Sequence, residues 1–272
     1  MTSLSISRAW DETKAVLARD GRLITTVALA LLFLPQVFAS TVSPPANLTD
    51  ETAPAAASLI VLAALLISMI GQLAVVRLAV GPATSVGDAI RHGTRRFPSA
   101  LSAFVIFLLG MALVLVPLIV ALGLTPLIMN PASPPPPQAL GRMLVLVLIA
   151  FFLSVKFLLV TPVASSEAVG PITILKRSWT LTDGHYLRLL AFVLLVTIAA
   201  LVVVIVAQIL GTVVAKLFAD TVNPLSAGAL VLALFTAGAQ AALSAVFTVM
   251  LARIYAQVSG HAAQASVPNT HE

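Results

Sequence analysis

The chain predicts an all-α polytopic transmembrane bundle of about six spans, and three observations carry that expectation. Of its 272 residues, 60% are hydrophobic and only 9% are charged, with a mean hydropathy of +1.08. A soluble domain carries roughly 25% charged residues, so a water-facing fold of this composition could not cover its own surface. The apolar residues gather into six stretches close to the roughly 20 residues that cross a bilayer. Lys and Arg, finally, fall in alternate connecting segments, in phase with all six stretches.

The first span is expected over Leu23–Ser40, the second over Ala57–Val80 and the third over Ala100–Leu122. The fourth covers Leu140–Pro162 and carries Arg142 and Lys156; the fifth runs from about Tyr186 to Leu217, the sixth from about Leu225 to Ile254. Ahead of the first span stand Arg8, Lys14, Arg19 and Arg22; after the second come Arg91, Arg95 and Arg96; after the fourth come Lys176 and Arg177. The intervening stretches Thr41–Ala56 and Thr125–Ala139, the latter with Pro134–Pro137, hold no Lys or Arg. The positive-inside bias therefore puts both termini in the cytoplasm. Arg22, the Leu23–Leu34 run and Val37-Phe38-Ala39 also have the outline of a cleavable signal, but the basic segment ahead of the run is long for one, and a retained first span is the expectation. The organisation is then one membrane domain, residues 23–258, between a cytoplasmic amphipathic segment, 1–22, and a cytoplasmic tail, 259–272.

Within the first segment, Ile6, Trp10, Thr13, Val16 and Leu17 have the spacing of a short surface helix whose Trp10 suits the membrane interface. The second and fourth spans run into a shared pattern. Gly81-Pro82 is followed by Val86, Ala89, Ile90 and Phe97; Gly170-Pro171 is followed by Ile172, Leu175 and Trp179. Proline suits the first turn of a helix, and the basic residues lie off each apolar stripe. Both segments are expected as short amphipathic helices on the cytoplasmic face, between spans two and three and between spans four and five, stopped by Gly93 and Gly184. Arg253-Ile254-Tyr255 after the sixth span echoes Arg77-Leu78-Ala79 after the second, a weak threefold hairpin repeat.

The stretch Pro162…Glu167…Gly170-Pro171…Leu175-Lys176-Arg177-Ser178-Trp179-Thr180-Leu181-Thr182-Asp183-Gly184…Leu187 resembles the signature of a bacterial family named for the membrane domain of glycerophosphoryl diester phosphodiesterase. Other members often place a basic residue where Thr180 and Asp183 stand. The resemblance implies a six-span protein of the bacterial inner membrane. It does not imply phosphodiesterase activity, because the soluble barrel with its His and Glu motifs has no counterpart in this sequence.

No catalytic constellation stands out. With no cysteine there is no disulfide, thiolate metal site or cysteine nucleophile. His92, His185, His261 and His271 are scattered, without ligand-like spacing, and His185 near Asp183 reads as a loop pair. The expectation is a protein without catalysis, metal or cofactor. The net charge of +5 reads as basic loops against anionic lipid, not as a nucleic-acid surface. The expected partners are membrane lipids, with another membrane protein or a second copy as further candidates. The candidate headgroup contacts are Arg91, Arg95, Arg96, Lys156, Lys176 and Arg177, with Trp179 as interfacial anchor; topology signalling alone accounts for the basic residues equally well. For Lys156, snorkelling and a salt bridge to Glu167 are also open.

Helix packing is expected from two small-residue stripes at intervals of four: Ala207, Gly211 and Ala215 in the fifth span, and Ala233, Ala237, Ala241 and Ala245 in the sixth. Gln72, Gln208 and Gln240 read as interhelical hydrogen-bonding groups, with Gln208 and Gln240 at different depths. Pro117 and Pro126 are candidate kinks or stops of the third span. The leading functional expectation is noncatalytic lipid handling or envelope-complex assembly. A small-solute transporter or channel, or an accessory subunit of a separate hydrolase, is the alternative.

Overall fold

All six apolar stretches are helical and long enough to cross a membrane in the computed structural model, which describes residues 5–42, 55–81, 85–129, 136–218 and 225–260. The chain is an all-α polytopic membrane protein. Pro82, Pro134 and Pro135, residues 219–224 between the fifth and sixth spans, and His261 and His271 of the tail lie outside the described residues.

The first span and the segment before it are one helix, α1, Ile6–Val42, not a surface helix followed by a span. At 1.5 Å per residue its 37 residues reach about 55 Å, well beyond the ~30 Å hydrocarbon core. Ser5 caps it, accepting from Arg8 N–H. Its buried face is Ala9, Thr13 and Val16, while Trp10 is 46% exposed. Of the expected stripe, Thr13 and Val16 are buried and Ile6 and Leu17 pack against the core; only Trp10 is turned out, and Ala9 enters the core with Ile174, Leu181 and Tyr255 in its place. Midway, Leu29–Phe33 widens into a π-helical turn in which Leu34 N–H donates to the Leu29 carbonyl. Pro35, which has no N–H to return to the carbonyl four residues back, follows directly and accounts for the widening. Gly71 of the next helix nestles against the turn; a Cβ there would stand 2.8 Å from Leu31 Cβ.

The second span is α2, Ala55–Val80, and the third is α3, Val86–Ala121. The separate amphipathic helix expected between them does not exist. Its residues form the first turns of α3, which runs straight through Gly93, Pro98 and Pro117. Gly93 is a point of close approach and not a stop: a Cβ there would lie 2.7 Å from the Ile70 carbonyl oxygen of α2. Pro126 sits in a short helix of its own, α4, Thr125–Met129.

The fourth span is broken. Helix α5, Pro137–Lys156, and helix α6, Val160–Ser166, are separated by a turn at Phe157–Leu159. Pro162 cannot donate to the Leu158 carbonyl, so a straight helix is not available there. The freed Lys156 carbonyl accepts from two hydroxyls, Ser178 Oγ at 3.3 Å and Thr182 Oγ1 at 3.2 Å. Both belong to α7, Pro171–Thr182, the one short amphipathic helix that forms as expected, with Pro171 in its first turn. Gly184 follows at φ +82°, the left-handed conformation that glycine adopts without strain. The fifth and sixth spans are α8, Tyr186–Phe218, and α9, Ala227–Val258.

Helix α9 is the axis of the bundle, packed against α1, α2, α6 and α8. It is the least apolar of the six spans, while the peripheral α8 is the most apolar, as expected of a helix surrounded by protein and one bathed in lipid. Both small-residue stripes are buried. They do not face each other. Gly211 of α8 packs on α9 at Leu232 and Phe235, where a Cβ would meet atoms at 3.0 Å. Ala233 and Ala237 of α9 instead pack with Val37 of α1, and Ala241 and Ala245 join the core shared by α1 and α2.

The start of α1, the end of α9 and most of the described basic residues meet at one end of the bundle. Ser5 N–H donates to Gln257 Oε1 there, and His92 Nε2 lies 2.8 Å from the Ser165 carbonyl oxygen. Ser165 Oγ donates to the Leu73 carbonyl, tying α2, α3 and α6 together. At the opposite end Leu225 N–H donates to the Thr41 carbonyl, and Arg142 Nη1 to the Leu122 carbonyl.

Candidate functional site

The basic end carries the sequence-predicted headgroup residues on two helices. Arg91 and Arg95 are exposed on the first turns of α3 and Arg96 is half-buried beside them; Lys176, Arg177 and Trp179 are exposed on α7. Arg177 Nε also lies 3.3 Å from Glu167 Oε1, and the same carboxylate oxygen accepts from Tyr255 OH at 2.8 Å. Lys156 stands apart from the group. It is buried, its ammonium is paired with Asp183, and it lies 4.8 Å from the Trp179 ring centroid, with the rings of Phe152 and Tyr186 also within cation–π range. The bridge to Glu167 considered from the sequence does not form, because the turn at Phe157–Leu159 ends the helix on which the two residues would have shared a face.

The spans enclose a second feature that sequence reasoning missed. A partly open cavity of about 620 Å³ lies between α1, α2, α3, α6, α8 and α9. Its polar lining is Gln36, Gln72, Gln208 and Gln240, together with Ser40, Ser68, Thr161 and Thr236. Its apolar lining includes Met69 and Phe104, and its rim reaches Val61 and Leu65, which are 41% and 48% exposed. A smaller cavity of about 200 Å³ continues toward the basic end, sharing Gln72 and Thr161 with the first. Gln208 and Gln240, expected at different depths, both line the larger cavity without hydrogen-bonding each other. Among the described residues no charged side chain lines either cavity.

Several elements bring these amides together. The π turn at Leu29–Phe33 adds a residue to α1 and resets the register of the turns that follow, which carry Gln36, Ala39 and Ser40 to the cavity wall. The broken fourth span ends α5 and starts α6 so that Thr161 faces inward. Close packing at Gly211 holds α8 against α9 near Gln208. A signal was present in the sequence, namely four glutamines within largely apolar spans. Such groups in a bilayer are candidates for function.

Each primary amide offers two donor hydrogens and an acceptor oxygen. Among the described residues none of the four amides is hydrogen-bonded to protein; Gln36 and Gln72 are half-buried, Gln208 and Gln240 are exposed, and all four line the cavity. Among the described residues, too, no three His, Asp or Glu side chains converge as metal ligands would.

Residues 4–258, from the start of α1 to the last residue of α9, match the family described as a domain of unknown function, DUF7847. The chain belongs to that family. No curated protein matches it, and no solved structure does. The family match spans both the α7 motif and the amide-lined cavity, so the two features belong to one domain. It provides no link to the phosphodiesterase membrane domain that the motif resembles.

Proposed function

We propose that this is a noncatalytic lipid-handling protein of a bacterial inner membrane, with both termini in the cytoplasm, that holds an amphiphilic molecule in the cavity between its spans. The carrying observation is the mixed lining of that cavity: four amides within an otherwise apolar bundle, with a rim that reaches lipid-exposed Val61 and Leu65. Pockets for small ligands are typically about 300–1,000 Å³, apolar with a few placed polar groups, and a cavity of about 620 Å³ fits that description. The basic end, with Arg91, Arg95 and Lys176 exposed, suits the anionic cytoplasmic leaflet and supports the orientation. The resemblance of Pro162–Leu187 to a six-span membrane domain supports the same location. The decisive experiment is native mass spectrometry of gently extracted protein with identification of what stays bound. A stoichiometric lipid that is rare in the bulk membrane supports the reading. Bulk lipid only, together with a stable protein partner, replaces it with a scaffold or accessory-subunit role.

One observation favours a second reading, passage of a small solute. The two cavities share Gln72 and Thr161, and with Ser244 and Thr248 these polar groups mark a largely apolar path from the larger chamber toward the basic end. Uptake of small neutral solutes into proteoliposomes, abolished by Gln72→Leu, would establish transport in place of lipid binding.

A further inference from the structure

We propose that the group bound in the larger cavity is electrically neutral and hydroxyl-bearing, the uncharged headgroup of a diacylglycerol-like lipid, and that the site excludes phosphate. This rests on the reading of the cavity as a lipid site and names its ligand class.

The chemistry of the lining sets the class. Gln36, Gln72, Gln208 and Gln240 each donate and accept, the pattern that hydroxyl groups complement, since a hydroxyl also donates and accepts. A phosphate brings a negative charge, which four neutral amides, for all their donor hydrogens, leave uncompensated in a low-dielectric site. The cations near enough to matter are placed elsewhere. Lys156 is paired with Asp183 beneath the Trp179 ring. Lys216 lines a separate shallow groove on α8 that touches the cavity only through Gln208. Arg77 lies in the last turn of α2, beyond Gln72 and toward the basic end. The apolar part of the lining sets the source. Val61 and Leu65 both line the cavity and are exposed on the bundle, so a bound molecule can keep acyl chains in the bilayer while its headgroup reaches the amides. A free polyol would leave Met69 and Phe104 facing it without a partner.

The test uses full-length protein purified in mild detergent and offered an equimolar mixture of dioleoylglycerol and dioleoylphosphatidic acid, which differ only by the phosphate. Bound lipid is read by native mass spectrometry for the wild type, Gln72→Leu, Gln240→Met and the control Gly110→Ala, whose added methyl meets nothing within 4 Å. The expected result is at least a tenfold preference for dioleoylglycerol, reduced at least tenfold in either glutamine variant and unchanged in Gly110→Ala. Gln240→Met keeps side-chain length and covers the case in which Gln72→Leu fails to fold. A preference for phosphatidic acid that the glutamine variants abolish would overturn the neutral class while leaving the cavity as a lipid site. Retention of both lipids that is indifferent to the glutamines would overturn the cavity reading and this inference with it. Retention of neither lipid, with a rise in melting temperature on adding glycerol alone, would assign the site to a soluble polyol and overturn the lipid source.

Discussion

The ammonium of Lys156, at the last residue of α5, pairs with the carboxylate of Asp183, the residue that ends α7. The backbone carbonyl of Lys156 simultaneously accepts from Ser178 and Thr182 of the same short helix. The Ser178-Trp179…Thr182-Asp183 motif therefore has a local physical role. It docks α7 onto the break in the fourth span, supplying hydroxyls to an orphaned carbonyl and a carboxylate and a ring face to an orphaned cation. Asp183→Asn is expected to lower the unfolding free energy by about 1–2 kcal/mol. That is less than the ~3–5 kcal/mol for breaking a fully buried pair, because the Asp183 side chain is 53% exposed. A double-mutant cycle with Lys156→Met, by denaturant titration in mild detergent, should return a coupling of about 1 kcal/mol. Zero coupling would show that the hydroxyls and rings alone hold α7.

The six spans and α7 were legible in the sequence because length, apolarity and basic loops are local signals. The break at Phe157–Leu159 falls inside the span expected over Leu140–Pro162, and only its local hint, the missing N–H of Pro162, was legible. The fusion of the expected amphipathic helix into α3 was not. Gly93 has the look of a stop, and only the proximity of Ile70 shows that its missing side chain serves helix approach instead. Convergence of Gln72, Gln208 and Gln240 was equally hidden. It depends on how antiparallel helices are set against one another in depth, and, for Gln36, on a π turn that shifts register. Of the roles open to Lys156, the bridge to Glu167 is removed by the break, which carries Glu167 away toward Arg177 and Tyr255, and Asp183 takes its place.

Two glycines inside α3 make a matched comparison. Gly93 meets the Ile70 carbonyl at 2.7 Å from its would-be Cβ, and Gly110 meets nothing within 4 Å. Gly93→Ala is expected to destabilise by about 1–3 kcal/mol through overpacking, since backbone and not a flexible side chain blocks the space. Gly110→Ala is expected to be neutral or to stabilise by up to about 1 kcal/mol through helix propensity. Thermal unfolding of the two purified variants decides the matter; equal melting temperatures would mean that α2 and α3 do not approach as closely as Gly93 requires.

The exposed cations at the basic end should bind anionic bilayers by charge. Arg91, Arg95 and Lys176 are the exposed members to neutralise, because Arg177 also serves Glu167. Each cation close to an anionic surface contributes roughly 1 kcal/mol. Replacing all three by Gln should therefore cut retention of anionic lipid by about 100-fold, and raising salt should do the same to the wild type. The readout is co-purified phosphatidylglycerol per protein. Unchanged retention in a folded triple variant would leave these residues as topology signals only.

Orientation can be tested directly because the chain has no cysteine, so any introduced thiol is the sole label site. Ser7 and Thr180 are exposed at the basic end, and Gln138 is exposed at the other. The basic residues predict that the first end faces the cytoplasm. Ser7→Cys and Thr180→Cys should then resist a membrane-impermeant maleimide in spheroplasts with an intact inner membrane and react once that membrane is permeabilised. Gln138→Cys should react in both states. The reverse labelling pattern would invert the protein, place Arg91, Arg95 and Lys176 on the outer leaflet, and remove the argument that they read the anionic cytoplasmic surface.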